Sequence, residues 1–135
     1  MSENSLILFE GNEGKFYCSK RAETTEEKKE LFNALEKCDV LLNDCVGQEI
    51  EIQDIYCEQG QIVDDETGEL KTKFRTIIFG ADGQTYATGS YGIFNVIAKI
   101  IKSFGYPTEW QEPLKVKVVK RPIGDGKQAL SLELL

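Results

Sequence analysis

Residues 70–104, LKTKFRTIIFGADGQTYATGSYGIFNVIAKIIKSF, place two different periods end to end. From Leu70 to Gly80, Lys71, Lys73 and Arg75 alternate with Leu70, Thr72 and Phe74, and a period of two is that of a strand. ADG at 81–83 is a tight hairpin turn into QTYAT. The period then lengthens. Ile93, Phe94, Val96, Ile97, Ile100, Ile101 and Phe104 recur at helical spacing behind Ser90, a good N-cap, and Gly105 followed by Pro107 stops the run. Lys99 and Lys102 mark the wet face, and Phe94 and Phe104 are expected in the core.

Working outward, Glu49–Ile50–Glu51–Ile52 alternates with period two, and the apolar phase shifts at Ile55 and Cys57, which a bulge near Asp54 explains. DDETGE at 64–69 is a polar turn. Downstream, LKVKVVKR and QALSLELL alternate on either side of Gly124–Asp125–Gly126. Residues 46–135 therefore read strand, strand, strand, helix, strand, strand. That is the order of an OB-fold, a five-stranded Greek-key barrel with its helix between the third and fourth strands. A ferredoxin-like or open α+β sheet needs a second crossover helix between strands.

Ahead of the barrel, LILF at 6–9 and KFYC at 15–18 flank Gly11 and Gly14 as a small hairpin. Thr24 or Thr25 caps a helix with Glu26 and Glu27 in its first turn. Its packed face is expected to hold Leu31, Phe32, Leu35 and Cys38, with Lys28, Lys29 and Glu36 in water. The chain is thus expected to be mainly β with two helices: an N-terminal β/α extension over residues 1–45, packed on an OB-fold-like five-stranded β-barrel over 46–135.

Composition narrows the chemistry. The 135 residues contain no histidine, which removes Ser–His and Cys–His catalysis and His-ligated zinc. Cys18, Cys38, Cys45 and Cys57 match no paired zinc spacing and read as scattered small core residues, so no metal is expected. FGADGQTYATGSYG fits neither GxxxxGKS/T nor a correctly placed GxGxxG, and Asp64, Asp65 and Glu66 share a solvated turn. Neither a catalytic residue nor a cofactor is expected, and the protein is read as a non-enzyme. No apolar run approaches ~20 residues and the start has no basic leader, so the expectation is a cytoplasmic protein with no membrane partner.

The net charge of −7 hides an asymmetry. Residues 1–69 hold 18 acidic and 6 basic residues, whereas residues 70–135 hold 5 acidic and 10 basic. Local potential governs encounter more than the total does. In the second half, Lys71, Lys73 and Arg75 share one strand face, and Lys115 and Lys117 share another, with Lys120 and Arg121 beyond them. Tyr56, Phe74, Phe79, Tyr86, Tyr91 and Trp110 interleave with these cations. Single-stranded nucleic acid needs both kinds of group, because cations follow phosphates and flat rings stack on bases of any sequence. Lys71, Lys73, Arg75, Lys115 and Lys117 are the candidate phosphate contacts. Tyr86, Tyr91 and Trp110 are the candidate platforms, with Phe79 or Tyr56 as a further one. Phe74 lies opposite the basic row and is assigned to the core, and Glu49 and Glu51 would neutralise the Lys71–Arg75 row if they lay across from it.

FGADGQTYATGSYGIFNVIAKIIKSFG and PLKVKVVKRPIGDGKQALSLELL resemble the turn–strand–helix segment and closing hairpin of the small single-stranded DNA-binding proteins of tailed bacteriophages of Gram-positive hosts. The resemblance covers about residues 70–135. It implies an OB-fold protein that coats exposed strands in the host cytoplasm during phage DNA replication or recombination, without base specificity or cofactor. Single-stranded DNA is then the main partner, and a second copy of the chain, as a dimer, and replication or recombination proteins are the protein partners to consider. Bacterial housekeeping proteins of this function end in a disordered acidic tail, whereas this chain ends in the strand-like LSLELL and is acidic at its N-terminal half. That acidic half motivates the competing reading, a small inhibitor that binds a host protein by mimicking nucleic-acid charge.

Overall fold

The computed structural model describes residues 9–11, 14–20 and 23–135; Leu6–Leu8 of the expected hairpin lie outside the described residues. The elements follow as β1 (Phe9–Gly11), β2 (Gly14–Cys18), α1 (Thr25–Glu36), β3 (Val40–Leu41), β4 (Glu49–Val63), β5 (Leu70–Gly80), β6 (Thr85–Thr88), α2 (Tyr91–Phe104), β7 (Leu114–Gly124) and β8 (Lys127–Leu134). Strands β4 to β8 with α2 before β7 reproduce the OB order, and the sheet curls into a half-barrel.

The curl starts in β4. Its first residues pair with β7, Glu49 opposite Lys117 and Ile52 opposite Leu114, and the rest pairs with β5 from Ile52 opposite Gly80 to Val63 opposite Leu70. The register slips between Ile52 and Asp54, so a bulge bends the strand between its two partners. It also keeps Ile50, Ile52, Ile55 and Cys57 on the inner face, where they meet Ile78, Val116, Val118, Leu130 and Leu132. No ladder joins β6 to β8 among the described residues. Instead α2 packs on β5 and β8 and sends Ile93, Ile97, Ile100 and Ile101 into the same core.

Local signals set the ends of α2. Ser90 Oγ accepts from the Ile93 N–H, and Gly105 takes a φ of 85°, which favours glycine. Phe104 departs from the expectation of burial: one turn past Ile100, it is 51% exposed, because the last turn outruns its cover.

Strands β1, β2 and β3 extend the same sheet. β2 pairs with β4 along Cys18–Gly14 against Tyr56–Gly60, β1 adds outside β2, and β3 runs parallel to β6. Thr24 caps α1 in a full capping box with Glu27. Leu31, Ala34 and Leu35 of α1 then pack on Tyr56, Ile77, Phe79 and Ala87, with Cys18 and Cys38, as a second core. Phe32 is not on the packed face as expected: it is 62% exposed, and the smaller Ala34 completes the contact. The helix therefore lies on the outer face of β5 and β6.

Candidate nucleic-acid interface

β6 pairs with β5 only from Thr76 to Phe79. The β4–β5 hairpin overhangs it, so among the described residues the β5 edge from Leu70 to Arg75 has no strand on that side. A cleft of about 700 Å³ opens along this edge, lined by Lys73, Phe74 and Arg75 of β5, by Glu58 and Gly60 of β4, and by Cys38, Asn43, Thr88 and Gly89.

Alternation along β5 puts cations and rings on opposite sides of the cleft. Lys73 is exposed on the outer side. Arg75, half-buried, donates through its guanidinium to the backbone carbonyl of Leu35 at the end of α1. Glu58 is its cross-strand neighbour and accepts from the Tyr56 hydroxyl at 2.8 Å. Lys71 is nearer the hairpin tip, with its ammonium 2.7 Å from Asp64 Oδ2. That contact, with the N–H groups of Glu66 and Thr67, holds the Asp64 carboxyl below the usual carboxylate range.

On the inner side, Phe74 stands 4.9 Å from the Tyr91 ring and 4.8 Å from the Phe94 ring, centroid to centroid. Tyr91 opens α2 and is 60% exposed. Phe74 is half-buried, so the inner face assigned to it by alternation is correct, but that face is not closed over there. Strand length carried the missing signal: QTYAT is too short to cover a partner that runs from Leu70 to Gly80.

The remaining candidates lie elsewhere. Phe79, with parity that left it room to be exposed, is buried beneath α1, and the Lys20 ammonium sits 5.3 Å from its ring centroid. Tyr56 is buried in the same cluster. Tyr86 is buried too, donating to Asp82 Oδ2 at 2.8 Å, and its phenol is pushed up to about 12 by burial first and by Asp82 second. Trp110 sits beyond the far end of α2, half-buried, with its indole N–H donating to the Gly105 carbonyl at 3.0 Å.

Lys115 and Lys117 are on β7, away from the cleft lining, and their cross-strand neighbours on β4 are Glu51 and Glu49. Lys115 Nζ reaches Glu49 Oε1 at 3.4 Å, and Lys117 also faces Glu133 of β8. The two glutamates thus oppose this pair and not the Lys71–Arg75 row. Of the sequence candidates, the cleft and its inner wall gather Lys73, Arg75 and Tyr91, and add Phe74. Four free cysteines are all that remains of thiol chemistry, and no metal-binding cluster occurs among the described residues.

No curated protein and no solved structure matches the chain. Residues 10–135 match the phage single-stranded DNA-binding proteins of the phi29 type, a span that takes in β2 to β8, both α-helices and the whole cleft, and the protein belongs to this family.

Proposed function

We propose that the chain binds single-stranded DNA without base specificity along the open edge of β5, and that it coats exposed strands during phage DNA replication or recombination. The observation that carries this reading is the Phe74–Tyr91 ring pair beside Lys73 and Arg75 on a strand edge left open by short β6. Phosphates would follow Lys73 and Arg75, with Lys71 at the entrance, and a base would stack on the outward face of Tyr91. Stacking is indifferent to base identity, which supports tolerance of sequence.

The test is fluorescence anisotropy with labelled oligothymidine of about 30 nucleotides, long enough for several sites of ~4–16 nucleotides. Tight, salt-sensitive binding to this strand and weak binding to duplex of equal length is the expected result. Equal affinity for duplex, or no binding at low salt, would overturn the reading.

A further inference from the structure

OB-folds take nucleic acid on the outer face of the second and third strands, flanked by two hairpin loops. Here those strands are β5 and β6, and the chain covers that face with its own helix. Ile77, Phe79 and Ala87 lie under Leu31, Ala34 and Leu35 of α1, with Tyr56 beside them. The cover is light. No side chain of α1 is fully buried, and its one phenylalanine, Phe32, points to solvent.

The C-terminal end of α1 is also held from outside. Its last turn contains no basic residue, and Lys37 rather than glycine follows it in an extended conformation. A guanidinium from the sheet bonds that end: Arg75 donates to the Leu35 carbonyl. A phosphate competes well for such a guanidinium, since it is charged and offers two oxygens where the carbonyl offers one. Arg75 also lines the cleft, so a strand lying there meets it directly.

We propose that α1 is a displaceable cover: a single strand bound in the cleft draws Arg75 from the Leu35 carbonyl, and α1 leaves the outer face of β5 and β6 to the nucleic acid. The proposal rests on the single-strand reading above and adds a competition to it. Without Arg75, α1 loses the bond at its C-terminal end, and the apolar contacts that Leu31, Ala34 and Leu35 make with the sheet are only partly buried. The face it uncovers carries the Phe79 and Tyr56 rings in line with Arg75, Lys73 and Lys71, so stacked bases replace the apolar cover that is lost. Twelve residues freed from the sheet are too few to remain helical in water. Displacement is therefore also melting, which amide exchange detects.

The experiment follows hydrogen exchange in the wild-type protein across Lys28–Lys37, whose amides bond back within α1 from Thr24 to Asn33, with and without saturating oligothymidine. Displacement predicts exchange about tenfold faster or more in the complex. Unchanged or slower exchange in a protein that binds the strand overturns the displacement and leaves the single-strand reading standing. A protein that binds no strand overturns both. In parallel, Leu31→Ala with Leu35→Ala loosens the cover without touching the cleft, and should tighten strand binding about threefold or more as the covered population falls. Unchanged or weaker binding by the folded variant counts against the competition.

Discussion

The Tyr91 ring, at the first residue of α2, stands 4.9 Å from the Phe74 ring of β5 at an interplanar angle of 55°. This contact joins helix to sheet while one face of Tyr91 stays in solvent. The two residues should therefore respond differently to truncation. Tyr91→Ala should weaken oligothymidine binding about 5- to 150-fold, the range for one stacked base, with little change in thermal midpoint. Phe74→Ala, which also removes the contact with Phe94, should weaken binding and destabilise the fold by about 2 kcal/mol, below the cost of a fully buried phenylalanine. Anisotropy and thermal melts separate the two effects.

Charge position predicts salt dependence. Lys73→Ala should lower the slope of log affinity against log salt by about 0.7, the loss of one phosphate contact. Lys115→Ala with Lys117→Ala should leave the slope nearly unchanged, because Glu49, Glu51 and Glu133 already face these lysines. Titrations between about 50 and 200 mM salt are the check. A larger drop from the β7 pair would move the strand to that flank.

Trp110 is the single tryptophan and lies past the C-terminal end of α2, about 20 Å along the helix from Tyr91 at 1.5 Å per residue. Its selectively excited emission should stay unchanged on addition of oligothymidine, while tyrosine emission falls. Quenched tryptophan would place a base on Trp110. Trp110→Phe should destabilise the protein by about 1 kcal/mol through loss of the indole bond to Gly105, without weakening binding.

Gly92 lies in the first turn of α2, where an added Cβ would run into the Leu130 carbonyl of β8. A backbone oxygen cannot move aside as a flexible side chain would. Gly92→Ala should push the helix off the half-barrel, costing about 1–3 kcal/mol in chemical denaturation and disturbing the neighbouring Tyr91.

Alkaline pH should unfold the protein through its buried phenols. Burial raises Tyr17, Tyr56 and Tyr86 above the ordinary tyrosine value, Tyr86 to about 12. The folded state holds these protons more tightly than the unfolded state. Their contribution to stability is full below about pH 10 and is lost as pH rises through the folded values. Tyrosinate absorbance from these three should therefore appear together with the loss of circular dichroism. Their ionisation at the ordinary value in a still-folded protein would contradict the burial.

The sequence by itself determined the order of β4 to β8 with α2 among them, the bulge beside Asp54, the N-cap Ser90 and the stop at Gly105, and it narrowed the cap of α1 to Thr24 or Thr25. Each depends on periodicity or hydrogen bonds within a few residues, so each is written locally. The inner and outer faces of β5 were legible for the same reason, and so were Lys73, Arg75 and Tyr91 as candidates. Only the tertiary structure decided what lies against each face. Glu49 and Glu51 met Lys117 and Lys115 because β4 bends between two partners, and Phe79 and Tyr56 went under α1 although their own strands leave them on an outer face. Phe74 stayed half-open because β6 stops short of it. Alternation fixes the direction in which a side chain points, but burial depends on a neighbour that can lie forty residues away in the chain.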